Sequence, residues 1–165
     1  NPGRLGGGIT GIPFTDPIKL ESECGIPNNL PKRPEISALF IHDMMGAFGG
    51  LAKFYKKYYF NSICPLGFTR DGKNLNYYDV PELQKALTGY ILENIRAQIA
   101  MGINTETCFC LGEGKNFNFF EKLNSEHHFF KKVISLPHPR FIMQYKLKKK
   151  DEYIASYIHI LNSEK

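Results

Sequence analysis

The order of apolar patterns constrains the fold of this chain most. After a long opening rich in glycine and proline, amphipathic helical stretches alternate with short apolar runs of strand length. The strongest helix signal covers 80–101. There Leu83, Leu87, Ile91, Ile95 and Ile99 recur every four residues and lay down one apolar stripe. Asp79 with Glu82 reads as a capping box, Pro81 suits the first turn, and Gly102 closes the helix. Residues 107–111 read as a buried strand, 116–123 as a short helix and 133–136 as a further strand. Ile154, Tyr157, Ile158 and Leu161 mark a last amphipathic helix. Upstream, 36–56 reads as a helix with Leu39, Ile41, Met45, Phe48, Leu51 and Phe54 mostly on one side; Gly46, Gly49 and Gly50 either weaken it or permit close packing. The aromatic run 58–63 reads as a short strand, and Asp71-Gly72-Lys73-Asn74 as a turn.

Helix and strand in alternation predict an α/β protein, a three-layer α/β/α arrangement around a short central parallel sheet. At 165 residues the chain fits a single domain, 1–165. Its opening, Asn1-Pro2-Gly3-Arg4-Leu5, reads as a loop, so a first strand or helix is expected to precede it. The 34-residue opening stretch as a whole reads as a loop with little regular structure, a length that is usually functional. In parallel α/β folds ligands sit at the carboxyl ends of the strands. Three segments are expected there: 1–14, 61–68 and 137–145.

Lysine and arginine number 21 against 16 acidic residues, a net charge of +5 that favours a polyanionic partner such as nucleic acid. No apolar run approaches the roughly 20 residues of a membrane helix. The four cysteines, Cys24, Cys64, Cys108 and Cys110, lack zinc or iron–sulfur spacing. Cys108 and Cys110 read as small core residues on one face of a strand in a reduced compartment, and no metal site is expected.

Gly6-Gly7-Gly8-Ile9-Thr10-Gly11 satisfies G-x-G-x-x-G in form. A dinucleotide site requires a helix to start there, and Pro13 and Pro17 argue against one. A glycine loop also lets backbone approach a flat ligand, with Phe14 as an aromatic face for a base or, alternatively, as one more core residue. His138, between Pro137 and Pro139 directly after a strand, is either a rigidly placed acid or electrophile, or a structural residue. His42, His127, His128 and His159 suggest nothing specific.

Together these segments resemble the uracil-DNA glycosylase superfamily, closest to the bacterial branch of the single-strand-selective monofunctional (SMUG-like) family. That family opens its first motif Gly-x-Asn-Pro-Gly and continues through glycines to Thr-Gly-Val/Ile-Pro-Phe. Residues 1–14 match from Asn1 to Phe14 without a gap. Its mid-chain Cys-Pro-Leu is matched by Cys64-Pro65-Leu66, and its second motif by His138-Pro139. The resemblance implies roles residue by residue. Asn1 positions the attacking water, and His138 donates to uracil O2 and stabilises the departing anion. Phe14 stacks on the flipped base, while amides near Gly3 and Gly7 approach base and phosphate. Where the family carries a base-reading Asn, this chain has Ser62, with Asn61 one residue earlier, so either reads the uracil edge. The usual Pro-Ser-Pro-Arg wedge is here His138-Pro139-Arg140-Phe141, which makes Pro139, Arg140 and Phe141 the DNA contacts, unless Phe141 only opens the next apolar segment.

The implied activity is hydrolysis of the N-glycosidic bond of uracil, and of other deaminated or oxidised bases, leaving an abasic site. No amine nucleophile lies in the matched motifs, so no lyase step is expected. DNA is the partner, no membrane or cofactor is involved, and a monomer in the bacterial cytoplasm is expected. Two other readings stand beside it: a catalytically impaired DNA-binding module on the same fold, and a nucleotide-cofactor enzyme using Gly6 to Gly11.

Overall fold

The computed structural model describes residues 2–3 and 6–163. In chain order the elements begin with four helices: α1 (Gly7–Thr10), α2 (Pro17–Ser22), α3 (Ile36–Phe48) and α4 (Leu51–Tyr55). Next come β1 (Phe68–Arg70), β2 (Lys73–Leu75), α5 (Pro81–Ala100) and β3 (Thr107–Leu111). The chain continues with α6 (Lys115–His127), β4 (Lys132–Leu136), α7 (Pro139–Tyr145) and α8 (Lys150–Ser163). The fold is mixed α/β, mostly helical with a short parallel sheet. It falls into two compact units, 1–2 with 61–137 and 3–60 with 138–165. The chain passes between units at the links 2–3, 60–61 and 137–138, each in or beside a segment singled out above. Among the described residues no helix is long and apolar enough to cross a membrane.

In the unit containing 61–137, β3 and β4 run parallel in the register Cys108↔Val133 and Cys110↔Ser135. Side chains alternate across a strand, so these four share one face. From that face Cys108 and Val133 pack against a core built by Ile91 and Ile95 of α5, Phe120 and Leu123 of α6, and Cys64, Tyr77 and Phe129. The apolar stripe of α5 is therefore the inner face of this unit, with Leu83, Leu87 and Ile99 at its margin. Tyr77 is fully buried and donates its hydroxyl to Asn116 Oδ1 at 2.6 Å. The turn at Asp71-Gly72 closes the β1–β2 hairpin: both residues have positive φ, 50° and 70°, as a two-residue hairpin turn of type I′ demands.

In the other unit α3 is the central element, packed by α4, α7 and α8. Phe40, Ile41, Met44, Met45 and Phe48 are buried on it, joined by Phe54, Ile142, Ile154, Tyr157 and Leu161. Phe40 meets Tyr157 edge to face at 5.2 Å.

Several expectations are corrected. The helix expected over 36–56 breaks at Gly49 and Gly50, whose φ values of 113° and 95° no helix accommodates. Their N–H groups return to the carbonyls of Gly46 and Met45 and terminate α3. Leu39, placed on the inner side by periodicity, is 43% exposed, because Phe40 and Met44 take the core positions. The strand expected over 58–63 does not form. Lys57 and Tyr58 donate to the Phe54 carbonyl, extending the turn of α4. Phe60, half-buried, then stacks on Phe54 at 5.2 Å, while Tyr59 is exposed, so the run packs on the end of α4 instead of pairing in a sheet. The Asp79 capping box is absent: Val80 caps α5 without a side-chain bond, and Asp79 binds Asn76 and Lys115 instead. The opening stretch is not all loop. Asp16 caps α2 by accepting from Ile18 and Lys19 N–H, with Pro17 in the first turn.

Candidate active site

Asn1 lies outside the described residues. Against the expectation from Pro13 and Pro17, the glycine stretch does form one helical turn, α1, capped by Gly6 and ended by Gly11. Gly8 N–H donates to the Gly3 carbonyl at 2.9 Å, and Gly11 N–H to Gly7 at 2.9 Å, where Gly11 adopts φ 75°. Thr10 locks the exit, its hydroxyl donating to the Thr15 carbonyl at 2.6 Å and accepting from Ile12 N–H. Gly6 leaves room for the end of the Glu35 side chain: a Cβ there would overlap Oε2 and push that carboxylate aside. Glu35 stands behind the turn with Oε2 buried and without a hydrogen-bond partner. Burial, reinforced by neighbouring Asp16, raises its carboxyl above the ordinary range, while Arg140 and the Gly7 amide oppose that rise. Asp16 itself is buried and satisfied, since Oδ2 accepts from Glu35 N–H at 2.8 Å.

The turn delivers Phe14. Its φ of 53° is left-handed, a conformation a bulky residue adopts only when its surroundings impose it. The ring lies edge-on to Phe60 at 5.4 Å and tilted to His138 at 6.4 Å. Below the Phe14 backbone sits His42 of α3, 5% exposed, with neither ring nitrogen hydrogen-bonded. Burial pushes its pKa down, so the imidazole is neutral.

His138 is fixed by the helix it starts. It is the N-cap of α7, and its Nδ1 accepts from Arg140 N–H at 3.0 Å. A nitrogen that accepts carries no proton, so Nε2 is the protonated donor. Burial, with the Arg140 guanidinium adding to it, lowers the pKa to about 4. At neutral pH this is an uncharged imidazole of defined tautomer, held by a cap and by Pro139 in the first turn. Arg140 and Phe141 are exposed on α7, while Pro139 is buried.

In the other unit, Asn61 is exposed and Ser62 half-buried, both in irregular backbone ahead of buried Cys64. Gly67 closes this segment against the start of the chain: a Cβ there would lie 3.4 Å from the Pro2 carbonyl oxygen.

The profile of the uracil DNA glycosylase superfamily matches residues 1–162. The chain belongs to that superfamily. The solved structure of wild-type Pedobacter heparinus SMUG2 is 51% identical, with a TM-score of 0.94, covering 99% of this chain and 72% of that one. No curated protein sequence matches. This glycosylase homologue is thus SMUG-like in fold.

Gly3, Gly7, Phe14, His138, Pro139, Arg140 and Phe141 all belong to one unit of this SMUG-like fold, where the rings of Phe14 and His138 approach each other. Asn61 and Ser62 belong to the other. Sequence reasoning missed three residues around the glycine turn. Asp16 was legible, because Asp-Pro is an N-cap followed by a favoured first-turn residue. Glu35 stands just before an apolar run, a cap position, but nothing local announces its contact with Gly6. His42 gave no signal, since only packing buries it.

Proposed function

We propose that this chain is a monofunctional DNA glycosylase that hydrolyses the N-glycosidic bond of uracil, and of related deaminated or oxidised bases, and leaves an abasic site. The observation that carries the reading is His138: a neutral imidazole whose tautomer is set by the Arg140 amide, 6.4 Å from the Phe14 ring. Breaking the glycosidic bond builds positive charge on the sugar and negative charge on the leaving base. A donor aimed at the base lowers that barrier without having to give up a proton. In this reading Nε2–H of His138 donates to uracil O2, and Phe14 stacks on the base after it has been flipped out of the strand. Asn1 positions the attacking water. Backbone amides at Gly3 and Gly7 approach base and phosphate, and Asn61 or Ser62 reads the base edge. Pro139, Arg140 and Phe141 contact the DNA, and the net positive charge favours the phosphates. No cofactor or metal enters the reaction, and the chain acts as a monomer in the bacterial cytoplasm.

The test is incubation with a uracil-containing oligonucleotide, followed by alkali to cleave abasic sites. Alkali-dependent breaks at the uracil position are expected, with intact strand before alkali. Binding without product favours the alternative, a DNA-binding module on this fold. Breaks before alkali refute the monofunctional assignment.

A further inference from the structure

From Phe141, given a DNA contact above, an exposed strip continues along α7 and the turn after it to residues with no role so far. Phe141 and Tyr145 lie one helical turn apart on α7, 43% and 72% exposed, with ring centroids 5.6 Å apart and planes at 42°. The opposite side of α7 is the packed one, through Pro139 and Ile142. Leu147 follows, 57% exposed, in a short helical turn, Leu147–Lys149. Interleaved with these apolar groups are Lys146, Lys148, Lys149 and Lys150. Two of the four are engaged: Lys150 pairs with Asp43 at 2.9 Å and Lys149 with Glu152 at 3.6 Å. Among the described residues no carboxylate is ion-paired with Lys146 or Lys148, and both are exposed. Residues 144–149 line a shallow depression of about 340 Å³.

Large aromatic rings left in water beside unpaired lysines fit a ligand that offers flat apolar faces and regular negative charge. A stacked duplex keeps its base faces covered, whereas a single strand presents them. We propose that Tyr145, Lys146 and Lys148, continuing from Phe141, form a binding strip for single-stranded DNA. Unpaired bases stack on Tyr145 and Phe141, and backbone phosphates lie against Lys146 and Lys148. The strip leads away from His138 along α7, so it holds the strand that flanks the reacting nucleotide; that placement rests on the proposed function, whereas the strip itself does not.

The experiment measures affinity for a labelled, undamaged oligothymidylate across a salt series, so no excision is needed for the readout. Tyr145→Ala is expected to weaken binding roughly 5- to 150-fold, as loss of one stacked base does. Tyr145→Phe is expected to retain affinity. Lys146→Ala/Lys148→Ala is expected to reduce the slope of log K against log salt by about 1.4, two phosphates at roughly 0.7 each. Unchanged affinity in Tyr145→Ala together with an unchanged slope in the double lysine variant overturns the strip, even in an enzyme that excises uracil. Equal dependence of blunt-duplex binding on Tyr145 overturns the choice of a single strand, and polyglutamate competing as well as oligothymidylate overturns the choice of nucleic acid. Protein that excises nothing yet shows both dependences refutes the proposed function and supports the strip.

Discussion

Asparagine in place of His138 separates two jobs that alanine would remove together. Asn is among the best N-caps, and its side-chain oxygen can accept from Arg140 N–H as Nδ1 does at 3.0 Å. His138→Asn is therefore expected to hold the stability of α7, whereas His138→Ala forfeits about 1 kcal/mol with the cap. Both lose the Nε2 donor. Loss of one preorganised donor to a developing anion lowers turnover about 100- to 1000-fold. Single-turnover excision of uracil from an oligonucleotide, paired with thermal unfolding, resolves the two effects. The pH profile is a second handle. Burial holds the His138 pKa at about 4, well below the ordinary 6.5, and so favours the neutral ring. At pH 5 most of the folded protein keeps a neutral His138, whereas an ordinary imidazole is almost wholly protonated. The chemical step is thus expected to pass through pH 6.5 without an inflection from this group. Wild-type turnover in His138→Asn, or a tenfold fall centred near pH 6.5 that this variant abolishes, would refute the neutral-donor argument.

Gly6→Ala is expected to push the end of the Glu35 side chain aside and to lower excision only modestly; a large loss that adding Glu35→Ala does not restore would show that the turn itself cannot take a Cβ. Ile91→Ala, at a fully buried position facing β3 and β4, should cost about 2 to 5 kcal/mol in denaturant unfolding. Stability is expected to decline in mild acid. His42 and His138 have folded pKa values below the unfolded value, so their contribution is complete above about pH 6.5 and is lost as pH falls through the folded values. Glu35, raised in the folded state, acts in the opposite sense: its contribution is present at low pH and is lost as pH rises through its folded value. Urea unfolding of wild type and His138→Asn from pH 7 to 5 reads the balance, and an acid loss of the same size in both would contradict the His138 contribution.

How far the sequence could be read depended on whether a signal was local. The α5 stripe and the β3 and β4 strands were legible because periodicity records which side faces a core. The Asp71-Gly72 turn was legible because positive φ at two adjacent positions selects those residue types. The aromatic run after α4 was misread because stacking on Phe54 and strand pairing both favour the same residues. The α3 helix was read too long because its stop depends on two glycines whose conformation local pattern leaves open.

At the candidate site the chain alone determined which chemistry-bearing groups exist and in what order: a glycine turn ending in Phe14, and a histidine flanked by prolines after a strand. Tertiary structure decided their states. Nothing in Pro-His-Pro says which nitrogen of His138 holds the proton; the Arg140 amide settles that, and burial keeps the ring uncharged. Nor does the sequence say that Gly6 packs against a carboxylate 29 residues away. Protonation and steric exclusion depend on what surrounds an atom in space, and those neighbours come from distant parts of the chain.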